Sequence, residues 1–251
     1  MTKCWSFLLV TLLVLVVGCR TTDPFAEDPT AAVHTTRPPW NSTVFAAQTD
    51  SGVVLIDLGW SGRPQNLLSA LAPIGARPDD VRRVFLTHSH RDHIALWPWV
   101  AKARFHLSAL EVPYFLGEAE HVDSGSSLAE RFHSTDYPAA GRLTVDPFAN
   151  DTAFVLGTDT LWAVSVPGHT AGSAAYVFRG IAFLGDAISD DIRGSVEELE
   201  GFFSADVEQG RKSLARFISF VDSAGVEVSR VCTAHGPCVL FSEFREEFRL
   251  R

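Results

Sequence analysis

From Ser42 to the C-terminus the apolar positions switch repeatedly between a two-residue and a 3.6-residue period, the mark of short strands alternating with helices. "STVFAAQ" (42–48) and "GVVLIDLG" (52–59) read as neighbouring strands joined by a turn at Thr49-Asp50-Ser51-Gly52. "PQNLLSALAPIG" (64–75) has helical spacing and ends at Gly75, and "VRRVFLTH" (81–88) returns to strand character. "HIALWPWVAKA" (93–103) is helical in part, with Pro98 near a start or a kink, and "ARFHLS" (103–108) is the next strand. Residues 117–150 are polar and weakly periodic, which predicts loops and a short helix. Two hairpins follow, "DTAFVLG" with "TLWAVSVPG" and "SAAYVFRG" with "IAFLGDA". "VEQGRKSLARFISFVDSAG" (207–225) is an amphipathic helix, "VEVSRVCTAHG" (226–236) a last buried strand and "FSEFREEFRL" (241–250) a terminal helix.

Hairpins occur in both halves with helices between them, so the simplest packing of this mixed α/β order is two sheets face to face with helices outside. Clusters of ionisable residues fall where strand patterns stop, after Leu86, Val166, Leu184 and Val231. With 46% hydrophobic residues, positions 40–251 have the means to form one large domain. The formal charge of −9 comes with no basic block, which argues against a nucleic-acid partner without excluding small phosphoesters.

Ahead of this domain, "MTKCWSFLLVTLLVLVVGC" carries one early lysine and then an apolar run from Trp5 to Val17. The run is shorter than the roughly 20 residues of a bilayer span and is laid out as an export signal. Val16-Val17-Gly18-Cys19 resembles the lipobox of bacterial lipoproteins, which implies a signal at 1–18, lipidation of Cys19 and tethering to the periplasmic side of a membrane. Arg20, where aspartate would retain such a protein at the inner membrane, implies the outer membrane in a Gram-negative cell. An ordinary cleaved signal and an uncleaved anchor are the alternatives. Residues 19–39, rich in Thr, Pro and Asp, read as a flexible tether. Cys4 would then be removed and Cys19 consumed, leaving Cys232 and Cys238 in "CTAHGPC" as a disulfide across a turn, two small buried thiols or soft metal ligands.

The densest chemistry is "FLTHSHRDH" (85–93), where three histidines and an aspartate fall within six positions after an apolar run. Such crowding is costly unless something compensates. Alternation places His88 and His90 toward one centre, and after a turn Asp92 and His93 can face another, so two cations would relieve it. A His-rich surface loop is the bland alternative. His169 in "SVPGHTAGS", Asp186 in "FLGDA" and His235 in "TAHGP" each follow an apolar strand, a place where a lone His or Asp ordinarily caps or bonds its loop. Trp97, Trp99, Tyr114 and Tyr137, together with His34, His106, His121 and His133, read as core packing or ordinary surface.

Taken in order, "HSHRDH", "PGHT", "GDA" and "AHG", with Asp57 of "VLIDLG", resemble the metallo-β-lactamase superfamily of metal-dependent hydrolases over residues 41–237. The resemblance implies a four-layer αββα sandwich with two divalent ions at one edge, zinc first and iron or manganese also accepted. It implies that His88, His90 and His169 hold one ion, that Asp92, His93 and His235 hold the other, and that Asp186 bridges them. Asp57 would orient the histidine loop without binding metal.

Asp186 stands where the antibiotic-hydrolysing branches carry cysteine or serine, and only sixteen residues follow His235 where glutathione thioesterases add a helical region. The expected activity is hydrolysis of a small acyl substrate, an ester or lactone, by a hydroxide shared between the ions, with Asp92 as the catalytic proton carrier. A phosphodiesterase or β-lactamase of the same fold, a mononuclear iron persulfide dioxygenase and a non-catalytic metal-binding lipoprotein are the alternatives.

Overall fold

The computed structural model describes residues 42–60, 62, 64–121, 136–190, 196–197, 203–236 and 238–248. The export signal, Cys19 and the tether lie outside these residues, as do His34 and residues 122–135, with His133, of the segment expected as loops and a short helix. Among the described residues no helix is long and apolar enough to cross a membrane.

Two sheets form the body. The first runs in the order β1 (Phe45–Thr49), β2 (Gly52–Ile56), β3 (Val81–Phe85), β4 (Arg104–His106) and β5 (Thr144–Val145), with the β1–β2 hairpin antiparallel and the remaining pairs parallel. The second is built from β6 (Thr152–Leu156), β7 (Asp159–Ser165), β8 (Ala174–Phe178), β9 (Ile181–Phe183), β12 (Arg230–Cys232) and β13 (Cys238–Leu240), in the order β13-β12-β9-β8-β7-β6. The ribbon β10 (Ser189–Asp190) and β11 (Val196–Glu197) stands apart. The helices are α1 (Pro64–Leu71), α2 (Arg91–Ile94), α3 (Val112–Phe115), α4 (Val207–Ala224) and α5 (Phe241–Phe248).

Strand alternation builds three apolar layers from these pieces. Phe45, Ala47, Val54, Ile56 and Phe85 point inward to meet Tyr176, Phe178, Ile181 and Phe183 of the second sheet. Their neighbours Ala46, Val53, Leu55 and Val84 point outward onto Leu67 and Leu71 of α1 and onto Trp97. On the far side Ala175, Val177, Ala182 and Val231 pack on Leu214, Phe217 and Ile218 of α4 and Phe244 of α5. Because a strand buried on both faces must be apolar at both parities, these short runs read as continuous hydrophobic stretches. The two sheets between helices match the fold class expected from the sequence.

Several boundaries moved. The first strand begins at Phe45 rather than Ser42. The helix expected over 64–75 keeps α geometry to Leu71 and tightens into a 3₁₀ turn at Ala72–Ile74, where Pro73 supplies no N–H. Another 3₁₀ turn, Trp97–Val100, has Pro98 in its first positions. The strand expected over 226–236 is real only at Arg230–Cys232. Its first residues close the end of α4, with the Val226 N–H donating to the Val221 carbonyl. Its last residues turn back into β13, which sequence periodicity missed because three residues are too few to show a period.

Topology decides where the chemistry gathers. β2 and β3 are parallel, and β7, β9 and β12 share one direction in the second sheet. The segments after their C-terminal ends therefore emerge at one edge, where the Ala174 N–H donates to the Thr87 carbonyl and stitches the sheets together.

Candidate metal centre

Five strand ends deliver the predicted side chains to that edge. Asp57 follows β2, the His88–His93 segment follows β3, and His169, Asp186 and His235 follow β7, β9 and β12. Gly185, at φ 56°, makes the turn before Asp186, and a Cβ there would meet Thr87 Oγ1 at 2.5 Å, so only glycine lets the two sheets approach this closely.

The nitrogens of one trio converge. His169 Nε2 lies 3.1 Å from His88 Nε2 and 2.9 Å from His90 Nδ1, and all three residues are buried. Beside it, Asp92 Oδ2 sits 3.6 Å from His93 Nε2 and 3.2 Å from His235 Nε2. Asp186 lies between the groups. Its Oδ2 is 3.9 Å from His88 Nε2, 3.5 Å from His169 Nε2 and 3.3 Å from His235 Nε2, while Oδ1 is 3.4 Å from His93 Nε2. The structure thus brings together all seven residues singled out as ligands, and His88-His90-His169 and Asp92-His93-His235 each gather within reach of one ion.

Asp57 stands behind them, its carboxylate accepting from Thr87 N–H at 2.8 Å, Thr87 Oγ1 at 2.8 Å and His93 Nδ1 at 2.8 Å. A carboxylate only accepts, so His93 keeps a proton on Nδ1, and Nε2 is the nitrogen that a metal ion would take in place of a proton. The Asp92 and His235 turns are also tied to the start of the domain. Ser42 Oγ donates to the Asp92 carbonyl, and Thr43 donates through both N–H and Oγ1, each at 2.8 Å, to the Ala234 carbonyl.

The electrostatics fit cations. Burial, reinforced by the neighbouring imidazoles of His93, His169 and His90, pushes His88 well below the ordinary histidine value. At His93 burial also pulls the pKa down, but the carboxylates of Asp186, Asp92 and Asp57 outweigh it and the value rises well above normal. Burial favours neutral Asp186, yet His235 and His93 hold it well below the usual carboxylate range. His93 Nε2 and Asp186 Oδ1 are buried without a hydrogen-bond partner. Three imidazole lone pairs aimed at one point, beside an unpartnered carboxylate oxygen, are costly for protein alone and suited to divalent metal. The donor set fits the group.

Cys232 and Cys238 face each other across β12 and β13 and form a disulfide that closes the turn carrying His235. With Cys232→Ser and Cys238→Ser together, stability is expected to fall by about 2 kcal/mol, the loop-entropy value for so short a ring. Urea melts of the oxidised wild type and the double variant measure this, and coincident midpoints would show that the bridge contributes nothing.

Of the side chains read as packing or surface, Trp97 and His106 are buried and Trp99 is half exposed, in accord with that reading. Two others lie at the site. His121 meets the His90 ring edge-on at 4.3 Å and places Nε2 3.4 Å from Ser89 Oγ, while Tyr114 stacks on His121 at 4.5 Å. Glu111, fully buried beside the histidine turns, was not singled out at all, because "ALEVP" carries no motif.

Comparison with known proteins agrees with this geometry. Residues 37–226 match the sequence profile of the metallo-beta-lactamase superfamily. The chain is 29% identical over 143 residues to a hydroxyacylglutathione hydrolase of Bartonella henselae, covering 56% of this chain and 45% of that protein. It is 28% identical over 149 residues to one from Shewanella oneidensis, covering 58% and 46%. The chain thus spans about half the length of the curated relatives it matches. Among solved structures, an archaeal metallo-beta-lactamase superfamily protein from Sulfolobus tokodaii superposes with a TM-score of 0.60 at 19% identity, covering 86% of this chain and 84% of that one. A B3 metallo-beta-lactamase with an active-site glutamic acid gives 0.61 at 18% identity, covering 86% and 82%. These likenesses are of fold. The profile match, however, runs over well more than half of the sequence and takes in four of the five strand ends that build the centre, so the chain belongs to the metallo-beta-lactamase superfamily.

Proposed function

We propose that the protein is a dinuclear metal-dependent hydrolase that cleaves a small acyl substrate, an ester or lactone. The observation that carries this is Asp186, whose two oxygens lie within 4 Å of nitrogens from both histidine groups. His88, His90 and His169 would hold one ion and Asp92, His93 and His235 the other, with Asp186 shared between them. When bound, such ions supply Lewis acidity and lower the pKa of water, and a His/Asp donor set suits zinc first.

The protein's own part is orientation and proton handling. Burial favours neutral Asp92, but His93 and His235 hold it below the carboxylate range, so it is ionised, as a metal ligand must be. From that place beside the second ion it would carry a proton to the leaving oxygen only transiently. Acyl chemistry is supported by the curated relatives, named as hydroxyacylglutathione hydrolases, while Asp186, where the antibiotic-hydrolysing branches carry cysteine or serine, weighs against a β-lactam. The net charge of −9 offers no track for a long polyanion.

Metal analysis of the purified chain is expected to return two ions. Comparison of kcat/KM across esters, lactones, a glutathione thioester, a phosphodiester and a β-lactam is expected to favour ester or lactone, with His90→Ala inactive throughout. A phosphodiester or β-lactam preference that disappears in His90→Ala would overturn the substrate class. A single ion under metal-replete conditions, with oxygen consumed on a persulfide, would overturn the reaction.

The lipobox-like "VVGC" supports placing this hydrolase on the outer side of a membrane through lipidated Cys19. Cys19→Ser is expected to release the protein from the membrane fraction, and an unmodified N-terminus beyond residue 19 on soluble wild type would exclude the anchor.

A further inference from the structure

Glu111, at the start of α3, is fully buried, and its carboxylate is saturated by donors from two different turns. Oε2 accepts from the Ser89 N–H at 2.8 Å and from Ser89 Oγ. Oε1 accepts from Thr170 Oγ1 at 2.7 Å and from the Gly172 N–H at 3.0 Å. Ser89 separates His88 from His90, and Thr170 follows His169 directly. One side chain thus joins the two turns that carry the whole of one trio. The other trio is fastened mainly by different groups: Asp57 on His93, Ser42 and Thr43 on the Asp92 and His235 turns, and the Cys232–Cys238 bridge. Asp57 touches the first trio only at one remove, through Thr87 Oγ1, which lies 3.0 Å from His88 Nδ1.

We propose that Glu111 is the positioning residue of the first ligand trio, setting the approach of His169 to His88 and His90 without touching metal or substrate. The proposal rests on the metal reading above. Its chemistry is demanding, because each oxygen receives one backbone N–H and one hydroxyl. Glutamine would set an NH₂ against one of those backbone donors and leave both unsatisfied in a buried site. Aspartate is a methylene too short to span both turns. Gly172 is part of the same fit. A Cβ there would lie 2.6 Å from Glu111 Oε1 and 2.7 Å from its Cγ, so Gly172→Ala displaces the carboxylate without changing its charge.

The test is equilibrium chelator competition with Zn²⁺, paired with the visible spectrum of the Co²⁺-loaded protein, on the purified full-length chain. Wild type, Glu111→Gln, Gly172→Ala and Asp57→Asn are compared. In Glu111→Gln and Gly172→Ala one of the two dissociation constants is expected to rise about 10–100-fold, the usual effect of losing a group that orients a ligand, while the other stays at its wild-type value. Asp57→Asn, which meets His93 directly and His88 only through Thr87, is expected to weaken the other ion more. Wild-type constants in both Glu111→Gln and Gly172→Ala would overturn the role, as would an equal loss of both ions in variants whose near-ultraviolet circular dichroism is native. Should Glu111→Gln not fold, Thr170→Val, which deletes one hydroxyl donor and keeps the carboxylate, is judged by the same criterion. Wild type binding a single ion would overturn the two-ion reading separately, and Glu111 would still fall if its replacement left that ion's affinity unchanged.

Discussion

Asp186→Ala is expected to lose metal and turnover together, with residual kcat/KM below about a thousandth of wild type, equivalent to about 4 kcal/mol of transition-state stabilisation. The size follows from position. Among the described residues Asp186 is the one carboxylate within 4 Å of all four of His88, His93, His169 and His235, so its removal strips a negative charge from both ligand groups at once. It also takes from His93 and His235 one of the carboxylates that hold their pKa values up. Metal content by mass spectrometry and rates on the preferred ester or lactone check this. A variant that keeps two ions and a wild-type rate would remove Asp186 from the centre.

Asp57→Asn is the second large effect, although Asp57 reaches no predicted ion. Asparagine keeps one oxygen for the Thr87 N–H and turns an NH₂ toward His93 Nδ1, now 2.8 Å from the carboxylate. The ring must then accept at Nδ1 and carry its proton on Nε2, the atom aimed at Asp92 and Asp186. A protonated nitrogen cannot bind metal. Affinity for one ion is expected to fall about 10–100-fold, with kcat/KM falling in step while the fold persists. Unchanged metal affinity in Asp57→Asn would refute the tautomer assignment.

Much of the architecture was legible before any coordinates. Apolar alternation is a local property, and a strand buried on both faces writes it as a short continuous run, so "GVVLIDLG", "VRRVFLTH" and "SAAYVFRG" announced themselves. Donor-rich turns directly after such runs were equally visible, and their order along the chain pointed to one centre. The short elements β5, β13 and α3 were not, because nothing periodic fits in so few positions, whereas β4, β9 and β12 are as short but lie inside longer stretches already read as strands.

The sequence by itself determined which residues have the nitrogen and oxygen donors for this centre and that each stands at a strand end. Only the tertiary structure decided how they meet. His169 reaches His88 across a separation of 81 residues because β7 runs in the direction that returns its end to the joined edge of the two sheets. Cys232 finds Cys238 because β13 pairs back on β12 in that register. Glu111 acquires its four donors, and His121 its place against His90, from the packing of α3 and its neighbours onto turns supplied by distant strands. A carboxylate's chemistry is carried in its own atoms, but its function here depends on which N–H and O–H groups surround it, and that is set by long-range strand register, which no local pattern records.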